Sequence, residues 1–185
     1  MRLFIGIPMA AAVVEQLAAV RARLERPGDG LRWSAAEGWH ITLQFLGATS
    51  PSQYDCLIAK LEAVRAQPAP VQLEGLGFFD RAGVFFAGVK VSLELAALQN
   101  VVVSATSECG FVPEDRPYHP HITLARNRGR EDGIRRLKPH AGAAPTFAAF
   151  VASEFLLYES FPEPGGSRYE VRARFRLFDE PGAAT

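Results

Sequence analysis

Apolar positions along the chain alternate in some stretches and fall at helical spacing in others, and the two patterns follow one another in a repeating order. Leu3 to Ile7 reads as a strand. Met9, Val13, Leu17, Val20 and Leu24 then recur at helical spacing until Pro27-Gly28-Asp29-Gly30 breaks the pattern. Arg32 and Trp33 open a short extended piece, and Trp39 to Leu46 forms a strand stopped by Gly47. Ser50-Pro51-Ser52 starts a helix that runs through Leu57, Ile58, Leu61 and Val64. Strands follow at Val71 to Phe79 and Val84 to Val89, joined by a turn at Asp80-Arg81-Ala82-Gly83. A helix over Leu95 to Cys109, a second extended segment and a short helix near Ile134 and Leu137 come next. Two long strands close the chain, Phe147 to Tyr158 and Tyr169 to Leu177, with Pro162, Pro164, Gly165 and Gly166 between them. In the last strand Val171, Ala173, Phe175 and Leu177 share one face, and Arg172, Arg174 and Arg176 the other.

The two central strands carry the same four residues, His40-Ile41-Thr42-Leu43 and His121-Ile122-Thr123-Leu124. With only four histidines in the chain, such a match arises by chance about once in a thousand sequences of average composition. Side chains alternate along a strand, so each copy sets a His and a Thr on one face and an Ile and a Leu on the other. Each half of the chain reads helix, motif strand, helix, strand, strand, which predicts an internal duplication with one motif per lobe and the lobes related by a pseudo-twofold axis. The one-face alternation predicts an α+β fold of antiparallel sheets covered by outer helices, with residues 1–185 forming a single bilobal domain.

The chain's 185 residues suffice for one buried domain or two small lobes, and zero formal net charge excludes a globally basic nucleic-acid binder. Charge is nevertheless local. Residues 116 to 138 hold Arg116, Arg126, Arg128, Arg130, Arg135, Arg136 and Lys138 against Glu131 and Asp132, which reads either as a solvated face or as a phosphate-attracting rim. Cys56 and Cys109 lack metal-like spacing, so free thiols in a reducing compartment are expected, with a disulfide between them left open. The opening apolar run is cut by Pro8 and continues into an amphipathic pattern, and no stretch is long enough to span a bilayer, so a cytoplasmic protein without a membrane partner is expected. No obligate protein partner is apparent.

Two His-Thr pairs meeting across a cleft make an acid and base apparatus. Imidazole titrates near neutrality, so one ring accepts a proton from an attacking water while the other donates one to a leaving oxygen, as in-line displacement at phosphorus requires. Thr42 and Thr123 supply hydroxyl donors to phosphoryl oxygens, and Arg126, five residues past His121, adds a planar fork.

Leu31-Arg32-Trp33, His40-Ile41-Thr42-Leu43-Gln44-Phe45-Leu46-Gly47 and Arg116-Pro117-Tyr118-His119-Pro120-His121-Ile122-Thr123-Leu124-Ala125-Arg126 resemble segments of the 2H phosphoesterase superfamily. More narrowly, they are similar to its bacterial and archaeal RNA 2′,3′-cyclic phosphodiesterases, also called 2′-5′ RNA ligases. The resemblance implies two antiparallel sheets around a water-filled cleft, no metal or organic cofactor, and hydrolysis of a terminal 2′,3′-cyclic phosphate to a 2′-phosphomonoester. It assigns His40 as proton donor to the leaving 3′ oxygen and His121 as proton acceptor from water. Reversible 2′-5′ ligation is expected at the same site, and the two roles exchange whenever a step runs in reverse.

Trp33, Phe45 and Tyr118 are each read as a stacking face for an unpaired base or as a core aromatic. His119, on the same face as His121, is read as a substrate-lining or supporting residue rather than a metal ligand, since no carboxylate or cysteine set accompanies it. His140 is read as surface. Two other substrates stay open: a small cyclic nucleotide such as an ADP-ribose cyclic phosphate, or RNA or nucleotide bound without turnover.

Overall fold

The computed structural model describes residues 1–129, 131–163 and 166–178. Arg130 of the basic run and Pro164 and Gly165 of the last connection lie outside the described residues. The first helix buries the predicted stripe: in α1 (Ala11–Leu24) Val13, Leu17, Val20 and Leu24 face inward. It follows β1 (Arg2–Pro8) and leads through β2 (Leu31–Trp33) to the first motif strand, β3 (His40–Ala48). Helix α2 (Pro51–Glu62) begins as its sequence requires. Ser50 accepts the Gln53 amide hydrogen, Gln53 returns the contact to the Ser50 backbone, and Pro51 occupies the first turn, where no backbone donor is missed.

Two predicted strands are each broken in two. Val71 to Phe79 resolves into β4 (Ala69–Val71) and β5 (Leu73–Phe79), changing direction at Gln72; Phe147 to Tyr158 resolves into β8 (Phe150–Ala152) and β9 (Glu154–Glu163), changing at Ser153. The detached pieces β4 and β8 pair with each other. Between them lie β6 (Val84–Val89), α3 (Leu93–Ser107), the second motif strand β7 (His121–Asn127) and α4 (Glu131–Leu137), and β10 (Gly166–Arg176) ends the order.

The antiparallel sheets run β10-β9-β1-β3 and β2-β7-β6-β5, so each motif strand belongs to a different sheet. The sheets do not follow the halves of the chain. Strand β5, which comes after the first motif, pairs with β6 beside the second; β9, which comes after the second motif, pairs with β1 beside the first. The repeating order therefore begins one strand earlier than the periodicity suggests: β1-α1-β3-α2 and β6-α3-β7-α4, apart from the short edge strand β2. In each, the opening strand lies antiparallel to its motif strand. One continuous apolar core joins both sheets, including Leu3, Ile5 and Ile41 from one and Phe85, Ile122 and Leu124 from the other.

Two expectations are corrected. Cys56 on α2 and Cys109 just after α3 form a disulfide rather than standing as free thiols, because the helices carrying them pack together. In β10 the alternation is interrupted by a bulge between Val171 and Ala173; Phe175 and Leu177 are buried, whereas Val171 is 42% exposed.

Candidate active site

A cleft of about 1040 Å³ separates the two sheets and is lined by His40 and Thr42 from β3 and by His121, Thr123 and Arg126 from β7. The alternation that places His and Thr on one face holds in both strands, with Ile41 and Ile122 fully buried on the other. Each imidazole is held in the same way. His40 Nδ1 lies 2.7 Å from the Gly38 carbonyl oxygen and His121 Nδ1 lies 2.9 Å from that of His119. A carbonyl only accepts, so each Nδ1 carries the hydrogen and donates it, leaving Nε2 of the neutral ring as an acceptor.

Aromatic rings seat both histidines. Phe4 lies 4.5 Å from the His40 ring and Tyr169 meets it edge-on at 5.3 Å, while Phe79 and Phe86 lie 5.0 and 5.3 Å from His121. Gly6 makes the close approach of β1 possible, since a Cβ there would stand 2.8 Å from the Ile41 carbonyl oxygen and 3.3 Å from the His40 ring. Burial pushes the His40 pKa down to about 4, against the Gly38 bond, and the positive charges of His121 and Arg126 act in the same direction. His121 is lowered for the same reasons, burial first, opposed by its bond to His119 and aided by the charges of His119 and Arg126. Both shifts favour the neutral imidazole.

Arg126 reaches this face through a defect in its strand. In a regular strand a residue five places beyond His121 points to the opposite side. The β6 to β7 register passes from Phe86↔Thr123 to Phe85↔Ala125, leaving Leu124 as an extra residue, so Ala125 turns inward and Arg126 joins His121 and Thr123. The first motif strand repeats this. Its register against β1 passes from Gly6↔Thr42 to Ile5↔Gln44, Leu43 is the extra residue, Gln44 is buried, and Phe45 turns onto the histidine face, 56% exposed in the cleft lining. Phe45 is thus a cleft residue, not a core aromatic.

The other expected residues separate. Trp33 lines the cleft on β2, its indole nitrogen donating to Asp29 at 3.1 Å. Tyr118 does not line the cleft; its hydroxyl donates to the Thr42 carbonyl oxygen at 3.2 Å and ties the approach to β7 to the opposite motif strand. His119 supports His121 through its carbonyl and lies against Phe79. His140 is half-buried in the turn after α4, away from the cleft.

Of the basic run, Arg126 is the one described member that lines the cleft. Arg116 pairs with Glu114, Arg136 with Asp29 and Lys138 with Asp80. The cationic lining comes instead from Arg2, Arg32 and Arg168, all outside that run. Tyr169 was equally hidden: it lines the cleft edge-on to the His40 ring, on a strand whose alternation gave no sign of it. Among the described residues no three His, Cys, Asp or Glu side chains gather as a metal site would need.

Two antiparallel sheets facing each other across a cleft, with one His-x-Thr strand in each wall, define the two-histidine phosphoesterases. Residues 8–160 match the 2′-5′ RNA ligase superfamily, and the chain belongs to that family. It is 32% identical over 177 residues to the RNA 2′,3′-cyclic phosphodiesterase of Escherichia coli K12, covering 95% of this chain and 96% of that one. It is also 32% identical over 189 residues to that of Geobacillus stearothermophilus, covering 98% of this chain but spanning only 59% of the relative. The crystal structure of E. coli LigT complexed with 3′-AMP superposes with a TM-score of 0.81 at 29% identity, covering 96% of this chain and 98% of that one.

Proposed function

We propose that the chain hydrolyses the terminal 2′,3′-cyclic phosphate of RNA to a 2′-phosphomonoester without a metal ion, and that the same site supports reversible 2′-5′ ligation, in which a 5′-hydroxyl takes the place of water as the nucleophile. The observation that carries this reading is the matched pair of imidazoles, one from each sheet, each with Nδ1 bound to a carbonyl and Nε2 free for the cleft. His121 takes a proton from water as the water oxygen bonds to phosphorus; the bond from phosphorus to the 3′ oxygen breaks, and His40 gives that oxygen its proton. Thr42, Thr123 and Arg126 hold the phosphoryl oxygens as their charge grows. His40 must be charged at the start, and the anionic cyclic phosphate supplies the field that raises its depressed pKa when it binds. Family membership and the names of the relatives support the substrate class.

The test is turnover of an oligonucleotide ending in a 2′,3′-cyclic phosphate, in the presence of chelator. Ring opening to the 2′-phosphate by the wild type, reduced about 10²- to 10⁴-fold in both His40→Ala and His121→Ala, is expected. Tight binding without ring opening in the wild type points to a non-catalytic binding module, and faster opening of a mononucleotide than of RNA points to a small-nucleotide substrate.

A further inference from the structure

Arg32 has no part in the chemistry above, yet its surroundings single it out. It is the register partner of Arg126 across β2 and β7, and both line the cleft. No carboxylate pairs with either guanidinium among the described residues; each is left facing the other's charge, and burial, with the Arg32 charge adding to it, holds Arg126 below its usual pKa. Like charges on directly opposed residues destabilise a sheet unless an anion compensates them. Arg32 is the outer of the two arginines, on β2, the edge strand of its sheet, while Arg126 lies one strand inward on β7 beside the motif.

Its position is fixed in advance. Asp29 accepts the Leu31 amide hydrogen and the Trp33 indole hydrogen, clamping the residues on both sides of Arg32, and Arg136 neutralises Asp29 from behind. The arginine's stem passes Gly166 of β10 on the facing sheet, where a Cβ would stand 3.9 Å from Arg32 Cδ. Nearby cleft carboxylates do not answer it: Glu163 is taken by Arg168, and Glu37 is exposed at the cleft surface.

A cyclic phosphate carries one negative charge, which one charged histidine and Arg126 already more than match. A second arginine one strand outward calls for a second anion. In a nucleotide with a 2′,3′-cyclic phosphate, the other phosphate is the one on the 5′ oxygen. We propose that Arg32, backed by Arg126, forms a second phosphate subsite that takes this 5′ phosphate, whether as the next phosphodiester of an RNA strand or as a free 5′-phosphate. The proposal rests on reading the cleft as a cyclic-phosphate site.

Product-like ligands test it without turnover. Binding of adenosine 2′-phosphate, adenosine 2′,5′-bisphosphate and a dinucleotide ending in a 2′-phosphate is measured by calorimetry at fixed ionic strength. The wild type should bind the two ligands with a second phosphate about tenfold or more tightly than the first, as one charge-assisted contact provides. In Arg32→Gln that ratio should fall to about one, and Arg32→Lys should restore part of it. A preference confined to the dinucleotide identifies the occupant as the chain's own phosphodiester; a preference for both shows that any 5′ phosphate suffices. No preference in the wild type, or a ratio untouched by Arg32→Gln, overturns the subsite. Ring opening measured in parallel keeps the two readings apart: an Arg32-dependent preference without turnover sinks the hydrolase and leaves the subsite, and turnover without preference does the reverse.

Discussion

Phe45 and Arg126 occupy the same place in the two motif strands, five residues beyond His40 and His121, and a bulged leucine turns each of them onto the histidine face. The two walls thus share a backbone device and differ in what it presents, an aromatic ring on one side and a cation on the other. A ring suits a base and a guanidinium suits a phosphate. Phe45→Ala should raise KM for a cyclic-phosphate oligonucleotide about tenfold and change kcat less than about twofold, as loss of one stacked base predicts. Arg126→Gln should lower kcat/KM about 10²-fold, with most of the loss in kcat. Steady-state kinetics decide; a kcat loss in Phe45→Ala as large as that in Arg126→Gln contradicts the division.

The depressed His40 pKa sets a pH dependence of stability. The unfolded chain binds this proton near pH 6.5, whereas the folded protein resists it down to about pH 4. Between those values the unfolded state binds more protons, so stability falls as the pH is lowered through the window and is unaffected by this group above it. The full shift corresponds to about 3 kcal/mol, and because the ring opens onto the cleft we expect about 1 to 2 kcal/mol. Urea midpoints at pH 7 and pH 4.5 should diverge more for the wild type than for His40→Gln. Equal divergence in both proteins removes His40 as the cause.

Tyr118 predicts a loss of order between the walls. Its hydroxyl spans from the approach to β7 to the carbonyl oxygen of Thr42, and burial pushes the phenol's pKa well up, keeping it a donor at any ordinary pH. Tyr118→Phe should cost about 1 kcal/mol of stability, the net worth of one buried hydrogen bond. Hydrogen exchange should show the loosening at β3. Protection of the β3 amides unchanged from wild type argues that the bond contributes nothing.

The disulfide between Cys56 and Cys109 closes a loop of 53 residues, for which chain entropy gives about 4 kcal/mol of stabilisation. Cys56→Ser with Cys109→Ser should lower the thermal midpoint by several degrees and match the wild type in reductant. A variant that melts with the oxidised wild type shows that the bridge adds no stability.

What the sequence revealed and what it hid divide along a physical line. His40 with Thr42, and His121 with Thr123, were legible because strand alternation is a local property with a fixed period. Arg126 was expected from its chemistry, although a regular strand would have aimed it away. The side of the strand taken by Phe45 was not legible, because a bulge depends on the neighbouring strand and leaves no mark in the letters. The breaks at Gln72 and Ser153 were missed for the same reason: alternation says which residues are buried, not which strand they pair with. Arg2, Arg32 and Arg168 reach the cleft from separate strands, so a window along the chain sees each as an ordinary surface charge. The contiguous run from Arg116 to Lys138 looked more like a phosphate rim than it is, since three of its members are held by Glu114, Asp29 and Asp80.

The exchange of strands between the sheets bears on how the cleft behaves as a mechanical object. Each wall takes two of its four strands from the opposite half of the chain, β9 and β10 on one side and β2 and β5 on the other, and one apolar core runs behind both. Proteins that close like jaws have halves joined by a few hinge residues that absorb the rotation. Here a rotation of one wall would pull on β5 and β9 and shear the shared core, so the spacing of the two imidazoles is set by the weave. The weave makes the width of the cleft a property of the whole fold, and changing it would mean straining both sheets at once.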